Sequence, residues 1–271
     1  WHYHDRQPAW SDMEWQVRCW PLFTWLSGDH YVEQLVHNLD VVNWVAGTTP
    51  VVCQGLGGRQ VRTGPQFGNI FDHFAVRYEY ANGLTMFAMA TQQRGISTRV
   101  GNVIHGTKGS AHVDRGTATI TGQKPWEFDG QGSSGDLEMH AALIRSIREG
   151  KPINEGVRLA EATMTGVMGR MSAYTGRALK WDWAMNASKL DLRPAKYEMG
   201  PLPVEPVALP GRSPGRPPPI PLRPQAPRRS AGRWRAAPAP RAFPAPQRRR
   251  GTIRGATQWR ISDWRCSLTL P

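Results

Sequence analysis

Cysteine is scarce in this 271-residue chain: Cys19, Cys53 and Cys266 are all it has. They form neither a CxxC pair nor an even framework, which excludes a disulfide-stapled scaffold and a zinc knuckle as the organising device. No apolar run approaches the ~20 residues a helix needs to cross a bilayer. No signal-peptide pattern opens the chain. It begins at Trp1 in what reads as mid-domain sequence, so any targeting signal is expected upstream, and both a cytoplasmic and an exported location stay open. Lysine is missing altogether from 211–271, which holds fourteen arginines against one acid, Asp263. That stretch carries the whole formal excess of +13, and residues 1–210 balance. The basic pI therefore says nothing about the partners of the body.

The same stretch holds twelve of the 23 prolines, in runs such as Pro217-Pro218-Pro219. It has too little apolar surface to offset its ordering entropy, which predicts a Pro/Arg-rich disordered tail over 206–271. An Arg/Pro arm could bind nucleic acid or an acidic membrane surface. Arg, Pro and Ala without Lys is also what a GC-rich gene yields in a wrong frame. Read-through is the preferred explanation, so nucleic acid is not the expected partner.

The body predicts an α+β fold. Residues 1–26 form a Trp-rich lead-in (Trp1, Trp10, Trp15, Trp20, Trp25) expected to pack on a neighbouring domain or subunit, with Ser11 and Glu14 marking a helix start. From 27 to 45, Val32, Leu35, Val36, Leu39, Val42 and Val45 recur at helical spacing and predict one continuous helix ended by Gly47. Residues 50–121 alternate as strands, with Asn82-Gly83 marking a hairpin and Gly106-Thr107-Lys108-Gly109 a second turn. They read as one largely antiparallel open sheet. Helices over 136–149 and 156–174 follow, and are expected to pack on one face of it. The domain is expected to span 27–205.

Glu33, His37 and Asp40 stand at i, i+4 and i+7, on one arc of the expected helix. A carboxylate one turn before a histidine can orient the imidazole and raise its basicity, as acid/base catalysis requires. With His30 the same residues have metal-ligand spacing, but no remote ligand is indicated and no metal is expected. Gly55-Leu56-Gly57-Gly58 after a strand invites a nucleotide reading; it is weak, because GxGxxG is not completed and no helix pattern follows.

The run 28–40 resembles the second-domain motif of the Gfo/Idh/MocA oxidoreductases (glucose–fructose oxidoreductase, inositol dehydrogenase and relatives). There a Gly-rich turn leads into a helix bearing a carboxylate, then His, then Asp. Gly106-Thr107-Lys108-Gly109, Ile147-Arg148-Glu149-Gly150-Lys151-Pro152 and Gly57-Gly58-Arg59-Gln60-Val61-Arg62 resemble further family elements. The resemblance covers roughly 9–205. It implies the substrate and oligomerisation half of an enzyme oxidising a sugar, polyol or related secondary alcohol by hydride transfer. The Rossmann half would precede Trp1, so this chain is expected to be inactive alone. NAD or NADP is implied as cofactor, bound mainly by that other half and not tightly by this chain. His37 would be the acid/base and Glu33 its orienting or substrate-binding carboxylate. Asp40, Arg59, Gln60, Asp72 and His73 are candidate substrate contacts. Sheet-to-sheet self-association is implied. The rivals are a non-enzymatic α+β oligomerisation module and an Arg-rich nucleic-acid binder.

Overall fold

In the computed structural model, residues 5–114, 116–130 and 134–212 are described; the expected tail beyond 212 lies outside them. Helix α1 (Asp12–Arg18) is capped by Ser11, whose side chain accepts from the Glu14 amide, as its sequence predicts. The short helices α2 (Thr24–Ser27) and α3 (His30–Glu33) lead to α4 (Val36–Ala46), which Gly47 ends in the left-handed region. Trp15, Cys19, Leu22, Phe23 and Ile70 form a small core of their own, so Trp15 packs within this fold. The Met13 amide donates to Gly200 O and the Gln16 side chain to Leu202 O, tying α1 to the far end of the described chain.

The strands divide into two antiparallel four-stranded sheets rather than one. The first has the order β3 (Thr85–Thr91), β2 (His73–Tyr80), β1 (Pro50–Gly58), β8 (Leu179–Lys180). The second runs β4 (Gly101–Gly106), β5 (Gly109–Asp114), β6 (Thr117–Gly122), β7 (Trp126–Glu127). It meets α4 through paired amides, Asn38 Nδ2 to Asn102 Oδ1 and Asn102 Nδ2 to Asn38 O. Helices α6 (Gly156–Thr175) and α7 (Trp181–Asn186) pack on the first sheet, whereas α5 (Gly135–Glu149), expected on the same face, leaves Leu137, Leu143, Ile144 and Ile147 exposed.

Alternation decides which face of the first sheet is covered. Phe74, Val76, Tyr78, Tyr80, Met86 and Ala88 point to one face and are buried with Tyr31, Leu39 and Met168 beneath α3, α4 and α6. Helix α6 lies close because glycine lets it. A Cβ on Gly55 would stand 2.8 Å from the Ala173 nitrogen, and one on Gly169 would collide with the Tyr78 hydroxyl. That hydroxyl donates to Thr165 O and meets the Tyr31 hydroxyl at 3.0 Å, so its polar atom is satisfied inside the core. The opposite face carries Leu56, Ala75, Phe87 and Met89 into solvent.

The expected single helix over 27–45 is interrupted. Residues 34–35 form a wide turn in which the Leu35 amide reaches back five residues to His30 O, and α4 starts afresh from Leu35. Leu39 is nevertheless buried in the core, and Leu35 and Val42 pack against it, as the stripe predicts. Val45, expected on the buried stripe, is exposed.

Candidate functional site

One end of the first sheet gathers the chemistry. The start of α4, the end of β1, the start of β2 and the end of β3 all lie there, while the Asn82 turn lies at the other end, where its side chain donates to Ala46 O. Gln92 Nε2 donates to Gln34 Oε1 at 2.5 Å, joining the turn before α4 to the segment after β3.

Asp29 builds the entrance to α3. It is wholly buried and takes φ 76°, a strained conformation for a residue other than glycine. Its Oδ1 accepts from the His30 amide and lies 2.8 Å from His30 Nδ1. Its Oδ2 accepts from the Phe71 amide and the Tyr174 hydroxyl. Arg170 is enclosed beside this group with its guanidinium over the Tyr174 ring; burial lowers its pKa, against the opposing fields of Tyr174 and Asp29. Nothing local in the sequence links Asp29 to Phe71 or Tyr174.

His37 is exposed in the first turn of α4. Glu33 ends α3 and His37 stands in the first turn of α4, so the two do not share one continuous helix. No hydrogen bond joins the two, and Glu33 Oε2 is enclosed without a partner. Asp40 is engaged elsewhere: Arg158 donates to both its oxygens, at 3.2 and 2.6 Å, clamping α4 to the first turn of α6.

The four further candidates fall in and around the loop joining β1 to β2. Arg59 turns its guanidinium onto the carbonyls of Arg62, Gly64 and Gly68 and so shapes the loop. Asp72 is wholly buried, and its Oδ2 accepts from three consecutive amides, Gln60 at 2.9, Val61 at 2.6 and Arg62 at 2.9 Å. Its Oδ1 accepts from His73 Nδ1 at 2.7 Å and from Gln93 Nε2 at 3.3 Å. Burial acts to raise its pKa, but the amides of Arg62, Val61 and Gln60 and the His73 bond outweigh it and hold the carboxyl well below the usual range. Gln60 takes part through its backbone. Arg59 and Asp72 thus spend their polar atoms on the loop, while Gln60 is exposed and His73 turns its ring outward, its side chain 40% exposed.

Gly55 to Gly58 lie within β1, and no helix begins after them. Their lack of Cβ admits α6 and the β2 backbone; a Cβ on Gly57 would stand 2.8 Å from His73 O. They make no phosphate cradle. No described helix is long and apolar enough to cross a membrane.

The profile of a family described as "Oxidoreductase family, C-terminal alpha/beta domain" matches residues 2–162. Among solved structures, the chain is similar to an aldose-aldose oxidoreductase from Caulobacter crescentus complexed with glycerol. The identity is 19% and the TM-score 0.51, over 59% of this chain and 50% of that one. It is also similar to an oxidoreductase from Agrobacterium radiobacter in complex with NAD+, L-tartaric acid and magnesium, at 16% identity and TM-score 0.45 over 55% and 48%. A third is myo-inositol 2-dehydrogenase from Lactobacillus plantarum, at 17% identity and TM-score 0.42 over 57% and 49%. The chain spans about half the length of these structures. A search of curated proteins returns no match.

Proposed function

Because this chain belongs to the Gfo/Idh/MocA oxidoreductase family through its C-terminal α/β domain, we propose that it is the substrate-binding and proton-handling half of an NAD(P)-dependent enzyme acting on a sugar, polyol or related secondary alcohol. The observation that carries the reading is His37, exposed in the first turn of α4 at the end of the sheet where the β1–β2 loop and the Gln34–Gln92 bridge converge. Oxidation of a secondary alcohol releases a hydroxyl proton, and an exposed imidazole can take it. Glu33, one turn of chain before His37, would accept from a substrate hydroxyl once the site is filled. Asp40 fixes α4 through Arg158 and so holds the helix that presents His37. The β1 glycines, packed against α6 and β2, offer no dinucleotide loop, and on this reading the cofactor would fall to a separate half. Self-association through Leu56, Phe87 and Met89 on the open sheet face completes the proposal.

The test fuses the chain behind a dinucleotide-binding domain and assays oxidation of aldoses and polyols with NAD and NADP. His37→Ala is expected to lower kcat by roughly 10²–10⁴ without loss of fold, and Glu33→Gln to cost less. Normal turnover by His37→Ala overturns the assignment.

A further inference from the structure

The best-formed acid/base geometry in the described fold is not at His37. Asp72 is enclosed, and its depressed pKa keeps it ionised, so it can only accept. His73 Nδ1 must therefore be the donor in their 2.7 Å bond. That fixes the tautomer: neutral His73 carries its proton on Nδ1 and leaves Nε2 with a bare lone pair. The ring is also held in place. In the sheet register His73 stands between Gly58 of β1 and Thr91 of β3. The ring lies alongside Gly58, where a Cβ would meet its Cε1 at an ordinary contact distance of 3.5 Å. The carboxylate that holds the loop through its Oδ2 turns its Oδ1 on the His73 ring, so loop and imidazole are fixed together. The Asp72 carbonyl accepts from the Gln92 amide, and Gln92 bridges to Gln34, so this pair is tied to the turn that precedes His37.

From this geometry we infer that His73 is a second substrate-contacting residue, its bare Nε2 accepting a hydrogen bond from a hydroxyl of the sugar or polyol, with Asp72 as its positioning residue. The inference rests on the oxidoreductase reading but not on the role given to His37. A hydroxyl-rich ligand fits the group: a fixed acceptor discriminates for O–H donors and against ligands that lack them, because an unmet buried lone pair costs affinity.

The test uses the 271-residue chain with 15N-labelled histidine, following the imidazole nitrogens by NMR, with His37→Gln and His73→Gln to assign them. In the free protein, His73 is expected to show a protonated Nδ1 and a bare Nε2, and Asp72→Asn to mix the tautomers. Titration with myo-inositol or glucose should move the His73 Nε2 signal saturably, and glycine betaine, which has no hydroxyl, should not. His73→Gln should weaken polyol binding roughly tenfold as read from the His37 signal. Movement of both histidines supports the inference and the oxidoreductase reading together; movement of His73 alone supports the inference and removes His37 from the site. Movement of His37 alone overturns the inference and leaves the oxidoreductase reading standing. If neither moves, both fall. A His73 shift that follows protein concentration rather than polyol also overturns the inference, and assigns the ring to a contact between copies.

Discussion

Asp72 holds the β1–β2 loop through a single carboxylate, and its titration gives that loop a dependence on acid. Burial alone would raise its pKa; the amides and His73 together bring it below the unfolded value of about 3.9. A carboxyl that titrates lower folded than unfolded contributes its full stability above the unfolded value. The contribution is lost as pH falls through the folded one. Denaturant melts of the wild type should therefore lose stability between about pH 4 and the acid limit more steeply than those of Asp72→Ala, which is weaker at neutrality but flatter in acid. Parallel curves for the two would mean that Asp72 contributes nothing through its charge. At the same scale, burial pushes the Cys53 thiol up to about 12, and the side chain is fully enclosed, so the group is a packing residue and not a nucleophile.

At the scale of elements, the tight seating of α6 on β1 and β2 depends on positions where a side chain would strike backbone or a satisfied hydroxyl. Gly169→Ala must push α6 off Tyr78 and break the hydroxyl pairing with Tyr31. A loss of about 1–3 kcal/mol is expected from overpacking, read from urea unfolding; a melt unchanged from wild type would show that α6 moves freely. Most elements were legible because punctuation marks them. The expected helices over 136–149 and 156–174 correspond to α5 and α6 within a residue or so, stopped by Gly150 and Gly176 in the left-handed region. The Asn82-Gly83 hairpin stands where it was read. The break at 34–35 was not legible, since no glycine or proline marks it and the apolar period runs through it. Nor was the division into two sheets, because strand alternation records faces and not neighbours. Among site residues the sequence picked His37 and His73 by type. It could not distinguish a carboxylate awaiting a ligand from Asp72, whose partners are backbone amides, or from Asp40, whose partner Arg158 is far along the chain.

For the whole molecule, the proposed self-association rests on the open face of the first sheet. Phe87 and Met89 are 74% and 76% exposed, and with Leu56 they lie on one flat surface. Exposed apolar area of this kind marks an association surface. Sedimentation at micromolar concentration should give a dimer or larger species, and Phe87→Lys with Met89→Lys should return it to monomer with an unchanged circular dichroism spectrum. A wild-type monomer would contradict the proposed self-association.

The seam between α1 and residues 200–202 has a bearing on how the protein is made. In helix α1 the Met13 amide donates to Gly200 O, the Gln16 side chain donates to Leu202 O, and Asp12 Oδ2 accepts from the Leu202 amide. Nearly the whole described sequence must leave the ribosome before those partners exist. Helix α1 thus gains these partners only once residues 200–202 have been made, long after the helix itself.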